Sequence, residues 1–175
     1  MPDSFSLFID IDRCWGCRTC EVACSIEKKM GPGRSCVRVE KVDSGKNSPV
    51  PGSLQGKAFV PVLCQQCSDP ACVSACPVGA LRRGDSGLVE FDEALCIACG
   101  VCESACPYGA ISLSGETGMP EKCDQCISRL RSGLLPACVQ HCPGHAITVG
   151  RPKAEASRGE KKEISVGKIV YLSRG

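Results

Sequence analysis

The segments CQQCSDPACVSACP (residues 64–77) and CIACGVCESACP (residues 96–107) decide the fold of this chain. Each segment holds four closely spaced cysteines and closes with a Cys-Pro pair. The later one follows the spacing C-x2-C-x2-C-x3-C-P, which is typical of loops that wrap a 4Fe-4S cluster. On a regular strand, cysteines at this spacing would alternate between the two faces, but on a tight loop their sulfurs converge. We therefore interpret both segments as cluster-binding runs.

The fourth cysteine of each run is predicted to serve the neighbouring cluster. It stands beyond the tight loop and points away from it. In two-cluster ferredoxins this residue ligates the other cluster, so adjacent runs exchange ligands. By that rule Cys106 belongs with the first three cysteines of the earlier segment, and Cys76 belongs with those of the later one.

Two further cysteine runs flank the central pair. CWGCRTCEVAC (residues 14–24) repeats the standard spacing, whereas CDQCISRLRSGLLPACVQHCP (residues 123–143) carries a long insert between its second and third cysteines. The pattern C-P-x-x-A-[LI] recurs after Cys76, Cys106 and Cys142, so the chain contains an internal repeat. Because the two central runs are neighbours in sequence, we expect them to pair. The first and last runs then form the other pair.

These rules group sixteen cysteines into four predicted ligand sets, which we call tetrads. The first tetrad is Cys14, Cys17, Cys20 and Cys142; the second is Cys64, Cys67, Cys72 and Cys106; the third is Cys96, Cys99, Cys102 and Cys76; the fourth is Cys123, Cys126, Cys138 and Cys24. Each tetrad is predicted to hold one 4Fe-4S cluster, which makes four clusters in the chain. The remaining cysteine, Cys36, is expected to be a small buried apolar residue.

The composition indicates that the apolar core is small and that the chain needs cross-links in addition to it. The hydrophobic fraction is 43%, but it includes 17 cysteines among the 175 residues, and only 4% of the residues are aromatic. The odd cysteine count argues against complete disulfide pairing, and the N-terminal stretch MPDSFSLFIDIDRC lacks signal-peptide features. We expect metal binding and a cytoplasmic location, or export together with a signal-bearing partner. Structural zinc and purely structural clusters are the alternatives for the grouped cysteines.

Several function classes have no signal in this sequence. The formal net charge of +2 gives no argument for binding nucleic acid or an anionic membrane. No stretch reaches the length of a membrane span. The chain also lacks a nucleophile motif, a phosphate-binding glycine loop and a dinucleotide fingerprint. We therefore predict a non-catalytic protein whose chemistry is that of its clusters.

The predicted fold class is α+β, a doubled bacterial-ferredoxin-like protein with short strands, short helices and long loops. Residues 1–30 and 107–150 are predicted to form an outer unit and residues 64–106 a central unit. Residues 31–63 are an insert and residues 151–175 a tail.

Local patterns predict the elements between the runs. We expect strands at Leu7 to Asp12, at Cys36 to Val42, in AFVPVL (residues 58–63) and in the segment AISLSGETGMPEKC (residues 110–123), where a turn follows the strand. We expect short helices in EVACSIEKKMG (residues 21–31) and at Ile127 to Arg131. A Ser-, Gly-, Pro- and Asn-rich loop separates the two strands of the insert, and ISVGKIVYL (residues 164–172) is predicted to be a strand that docks on the body or on a partner.

The four-run order and the insert in the last run carry a family resemblance. The chain resembles the iron-sulfur subunits of molybdopterin oxidoreductases of the dimethyl-sulfoxide-reductase type. The motifs concerned are CWGCRTCEVAC, CQQCSDPACVSACP, CIACGVCESACPYGAI and KCDQCISRLRSGLLPACVQHCP, and the resemblance spans residues 9–149. Short chains of similar kind also serve tungsten enzymes of anaerobic metabolism, including aldehyde oxidoreductases and benzoyl-CoA reductase complexes.

This resemblance implies an electron-transfer subunit with four 4Fe-4S clusters. It implies a large molybdenum- or tungsten-pterin catalytic subunit as one partner, and a flavin- or NAD-linked subunit or a ferredoxin as the second. The alternatives are a free polyferredoxin shuttle, and the electron-transfer subunit of a hydrogenase or carbon monoxide dehydrogenase complex.

Overall fold

Short strands and short helices alternate along the chain. The computed structural model describes residues 6–42, 59–150 and 162–173. Its strands are β1 (Leu7–Asp10), β2 (Val37–Lys41), β3 (Phe59–Leu63), β4 (Leu81–Arg83), β5 (Val89–Phe91), β6 (Ile111–Leu113), β7 (Pro120–Lys122), β8 (Ile147–Val149), β9 (Lys162–Val166) and β10 (Ile169–Ser173). Its helices are α1 (Thr19–Glu27), α2 (Ala71–Ser74), α3 (Val101–Ala105), α4 (Ile127–Arg131) and α5 (Ala137–Gln140).

A four-stranded sheet in the order β8-β1-β10-β9 forms the largest layer. β1 lies inside it, antiparallel to β8 and parallel to β10. Leu7, Ile9 and Ile11 are fully buried as predicted, but the strand ends at Asp10 and not at Asp12, and Asp10 is buried as well. Burying one such side chain stabilises the fold by about 1.5–3 kcal/mol. This sheet therefore anchors the loop that begins at Cys14.

The tail is a hairpin and not the single strand predicted for residues 164–172. Gly167 lies in the left-handed region (φ +56°) and turns the chain between β9 and β10. The turn rests on the second cysteine run, because the Lys168 N–H donates to the Gln65 carbonyl at 2.8 Å. The Gln65 Nε2 in turn donates to the Tyr171 hydroxyl at 3.0 Å. The tail thus ties the four-stranded sheet to the central part of the chain.

Three hairpins complete the sheet structure: β2 with β3, β4 with β5, and β6 with β7. The two strands of the insert are those predicted, and Pro61 lies opposite Val39 in a two-stranded sheet, where both strands are edges. The loop predicted between them lies outside the described residues. Arg38 fixes this hairpin to the central part of the chain, because its guanidinium donates to the carbonyls of Tyr108 and Gly109.

The first and third runs are introduced by the same local structure. Short 3-10 helices, Ile11–Arg13 and Glu93–Leu95, lead directly into them. Asp10 and Asp92 each precede one of these helices, and each side chain accepts the N–H two residues further on at 3.1 Å. This is the helix-capping role for which aspartate is favoured. The internal repeat therefore extends beyond the cysteines.

The insert of the last run forms the predicted helix α4. Gly133 (φ +76°) ends it in the left-handed conformation that glycine adopts without strain. Arg129 ties the helix to the body through an ion pair with Glu27 at 2.6 Å. It also donates to the Leu135 carbonyl at 2.7 Å and to the Gln140 Oε1 at 2.5 Å.

Two groups of buried side chains hold these elements together. The larger lies between the four-stranded sheet, the insert hairpin and the helices α1 and α5; the smaller joins α2, α3, β4, β5 and β6. Cysteines belong to both groups. The doubled ferredoxin-like α+β fold predicted from the sequence is confirmed. Among the described residues, no helix has the length and apolar character needed to cross a membrane.

We expect Gly167→Ala to destabilise the protein more than Gly133→Ala. A Cβ at position 167 would lie 2.1 Å from the Gln65 carbonyl oxygen, whereas nothing lies within 4 Å of a Cβ at position 133. The control therefore reports the cost of the left-handed conformation alone, about 1 kcal/mol, and Gly167→Ala adds a steric cost that brings the loss to about 2–3 kcal/mol. Anaerobic thermal unfolding measures both. Equal losses of stability in the two variants would mean that the turn at Gly167 does not pack against the second cysteine run.

Candidate iron-sulfur centres

Three of the four predicted tetrads each line a single cavity. The first tetrad lines one cavity, the fourth a second, and the third a third. The empty space between their walls is about 330, 340 and 330 Å³ respectively. Each cavity therefore brings together cysteines from two different runs, and the three cavities are nearly equal in size.

The cysteines of the second tetrad influence one another directly. Burial raises the pKa of the Cys67 thiol, and the Cys64 and Cys106 thiols raise it further. Burial likewise raises the pKa of Cys72 to about 11, again with Cys64 and Cys106 adding to the effect. Cys106, from the next run, is thus near the first three cysteines of this run.

In every run the third cysteine lies on a helix, and the fourth follows it four residues later. Cys20 and Cys24 both lie on α1, and the i to i+4 spacing displaces them by about 6 Å along the axis. Cys20 lines the cavity of the first tetrad, whereas Cys24 lines that of the fourth. In the last run Cys138 lies on α5, which ends at Gln140, so Cys142 lies beyond the helix and lines the cavity of the first tetrad. Since α1 packs against α5 and α2 against α3, each pair of helices bridges two tetrads.

Backbone N–H groups converge on the sulfurs that close the runs. In the repeated pattern C-P-x-x-A, the alanine N–H donates to the cysteine: Ala110 to Cys106 Sγ at 3.3 Å, and Ala146 to Cys142 Sγ at 3.2 Å. At Cys76, burial raises the pKa, but the N–H groups of residues 78–81 together outweigh it and lower the pKa overall. This loop stabilises a negatively charged sulfur, as a cluster ligand requires.

Cys24 follows no such pattern, and Cys36 takes over the role of the loop. The Cys36 thiol lowers the pKa of Cys24 to about 6, against the opposing effect of burial. The Cys36 N–H, the Ser35 hydroxyl and the charge of Lys28 act in the same direction. The expectation that Cys36 is only a small buried apolar residue is therefore wrong. The missing Cys-Pro after Cys24 was the sequence signal for a substitute donor.

Burial dominates the chemistry of the most enclosed thiols. It raises the pKa of Cys20 from 9.0 to about 12. It also raises the pKa of Cys123 and of Cys138, where neighbouring thiols add to the effect. These sulfurs are poor thiolates by themselves, because the interior lacks water to solvate the charge. A positively charged iron core would supply the missing stabilisation.

A buried amide without a partner also fits a cluster. Gln125 is 1% exposed and lines the cavity of the fourth tetrad, yet its Nε2 and Oε1 have no hydrogen-bond partner among the described residues. Such a group is costly in an apolar interior. A cluster held by this tetrad carries sulfide acceptors that could take the Nε2 donor. The residues present therefore fit a 4Fe-4S cluster.

Trp15, Arg18 and two histidines flank cysteines of the first tetrad in sequence. Trp15 and Arg18 line its cavity, but Trp15 is 60% exposed and so covers the site only in part. His141 and His145 are exposed and do not line the cavity.

Within the described ranges, no three His, Cys, Asp or Glu side chains lie close enough to hold a single metal ion.

Comparison with known proteins places the chain among iron-sulfur proteins. The 4Fe-4S dicluster domain family matches residues 56–152, and a 4Fe-4S binding domain family matches residues 11–31. The chain is 40% identical over 153 residues to the probable anaerobic dimethyl sulfoxide reductase chain YnfG of Escherichia coli, covering 86% of this chain and 75% of the relative.

Two further relatives have similar coverage of this chain. Identity is 38% over 152 residues with the thiosulfate reductase electron transfer subunit PhsB of Salmonella typhi, covering 86% of this chain and 78% of the relative. It is 38% over 156 residues with a tetrathionate reductase subunit of Salmonella typhimurium, covering 88% of this chain and 60% of the relative. The prediction of 4Fe-4S cofactors is confirmed by the matching families.

Cluster loss should be faster at low pH. Iron binds thiolates, and a freed thiol whose pKa is raised to about 12 at Cys20 or about 11 at Cys72 takes up a proton at any lower pH. Falling pH therefore favours the cluster-free form. We expect a chelator to bleach the visible cluster absorbance faster at about pH 6 than at about pH 8. A rate that stays constant or rises with pH would contradict this account.

Proposed function

The chain belongs to the 4Fe-4S dicluster family, together with iron-sulfur chains of the dimethyl-sulfoxide-reductase type, and from this premise we propose its specific role. It is an electron-transfer subunit that carries four 4Fe-4S clusters, one in each tetrad. It relays electrons between a molybdenum- or tungsten-pterin catalytic subunit and a second redox partner. The outer unit holds the first and fourth tetrads, and the central unit holds the second and third.

Contacts between neighbouring tetrads carry this proposal: α1, with Cys20 and Cys24, packs against α5, with Cys138. The Cys20 thiol of the first tetrad raises the pKa of Cys138 in the fourth. The Cys64 thiol of the second tetrad raises the pKa of Cys123, also in the fourth. Cys72 and Cys102, from the second and third tetrads, share the smaller buried core. The neighbours therefore form a row: first, fourth, second, third.

The exposure of the cysteines fits a row with two open ends. All four cysteines of the fourth tetrad are buried, and this tetrad is internal in the row. The end tetrads each contain an exposed cysteine, Cys17 in the first and Cys99 in the third. Partners could thus approach the two ends while the protein shields the middle from water.

Each part of the site has a separate task in this function. When bound, a 4Fe-4S cluster supplies reversible one-electron chemistry. The cysteines fix where the clusters sit, and the four-residue offset between the third and fourth cysteine of a run holds neighbouring tetrads close. The N–H donors in the C-P-x-x-A loops stabilise the more negative, reduced state, and burial destabilises it. The chain itself sets the distances between the clusters, shields them from water and adjusts their reduction potentials.

Grouped exposed apolar side chains beside the cysteine runs favour a docked subunit over a free shuttle. Val22 and Ile26, one turn apart on α1, are 58% and 74% exposed, and Leu95 and Ile97, on either side of Cys96, are 48% and 62% exposed. Apolar residues on the surface near a functional site are typical of protein interfaces. The relatives named as reductase chains support a large catalytic subunit as one partner. A flavin- or NAD-linked subunit or a ferredoxin is proposed as the other, and the cytoplasmic location stays a prediction.

Iron analysis of double variants tests the exchange of ligands. Wild type should contain about sixteen irons and sixteen sulfides per chain. Cys72→Ala with Cys106→Ala removes two ligands of one proposed tetrad, so about four irons should be lost. Cys102→Ala with Cys106→Ala removes one ligand from each of two tetrads, so about eight should be lost. If each run held its own cluster, the two results would be interchanged, and zinc in place of iron would refute the clusters altogether.

Native purification tests the partner. A tag on this chain should recover a large subunit that contains molybdenum or tungsten, measured by elemental analysis. Changing Ile26 and Ile97 to Lys in separate variants should each weaken the recovery of one partner, because a charge would then be buried in an interface. Recovery of the chain alone at full iron content would favour the free shuttle.

A further inference from the structure

A buried polar network joins the second tetrad to the fourth. Gln66 lies within the loop of residues 64–67, and its Nε2 donates to the Cys123 carbonyl at 2.7 Å. Its Oε1 accepts the Val89 N–H at 2.7 Å. Lys122 completes the network, because its Nζ donates to the carbonyls of Val89 and Cys123, the latter at 3.3 Å. The ammonium group is therefore fixed between two tetrads.

Lys122 is an unusual residue for this place. It is 8% exposed, and no carboxylate pairs with it in the part of the chain that the structure describes. A buried ammonium is costly unless negative charge lies near it. A cluster in the second tetrad would supply such charge, because Gln66 of its loop and Lys122 both donate to the Cys123 carbonyl and both bond to Val89. The lysine is thus held against the loop of the second tetrad.

The internal repeat shows that the fold does not require a lysine at this position. Lys122 immediately precedes the first cysteine of the last run. The corresponding residue before Cys64 is Leu63, which is buried and apolar. Leu95 precedes the first cysteine of the third run and Arg13 that of the first, so this position accepts apolar and charged residues alike. The charge serves some purpose other than filling the core.

We infer that Lys122 sets the reduction potential of the cluster held by the second tetrad. Reduction adds one electron and hence one negative charge to the cluster. A fixed positive charge nearby stabilises the reduced state relative to the oxidised one and raises the potential. This inference rests on the proposed function, because it requires a cluster at the second tetrad. The second tetrad is internal in the row, so the lysine raises the reduction potential of an internal cluster.

A redox titration of the purified holoprotein, together with any subunit that co-purifies, tests this role. Clusters are followed by electron paramagnetic resonance and visible absorbance in wild type, Lys122→Gln and Lys122→Met. Gln keeps the N–H donors without the charge, and Met removes both. In both variants one midpoint should fall, so that the ratio of reduced to oxidised cluster at fixed potential drops about tenfold, or about 59 mV for a one-electron couple. Lys122→Arg should retain the wild-type midpoint.

Lys28→Gln is the matched control. Lys28 also lies near a tetrad, since its charge lowers the pKa of Cys24, but its Nζ pairs with Asp124 at 2.6 Å. Its removal should shift the midpoints less. Unchanged midpoints in Lys122→Gln at full iron content would overturn the role of Lys122 and leave the proposed function intact. Loss of iron in both neutral variants would also overturn it, by assigning the lysine to cluster retention, and a wild type without clusters would overturn the proposed function itself.

Discussion

The bond between a buried cysteine sulfur and iron is the interaction on which the proposed account depends. Burial raises the pKa of Cys20 to about 12 and that of Cys72 to about 11, so these sulfurs favour the neutral thiol when no cation is present. A cluster removes that penalty and supplies cross-links that the small apolar core lacks. Cysteines occur in both buried cores beside aliphatic residues. Cluster binding and folding are therefore expected to be one event.

Local helix geometry distributes the sulfurs. The third cysteine of each run lies on a helix and the fourth follows four residues later, so the two belong to different tetrads, as Cys20 and Cys24 do. Repeated four times, this offset connects the first and last runs across the chain and joins the two central runs. The N–H donors of the closing loops and the contact of Cys36 with Cys24 then adjust individual sulfurs. One short-range rule thus produces a long-range arrangement.

The sequence predicted those parts of the fold that depend on spacing. The cysteine runs, β1, the insert hairpin and α4 follow from local patterns, and the structure contains them. The tail hairpin was missed because the turn at Gly167 is defined by a contact with Gln65, far away in sequence. The role of Cys36 was not determined for the same reason, because it depends on which side chain the fold brings near. Gln125 had one usable signal, because C-x-Q-C occurs in both the second and the last run.

The most direct test of the central claim is an anomalous-scattering map at the iron absorption edge, from crystals of the holoprotein grown without oxygen. The account predicts four separate iron peaks, in the order first, fourth, second and third tetrad, each bonded to sulfurs from two runs. Peaks enclosed by the cysteines of a single run, fewer than four peaks, or no iron signal would contradict it.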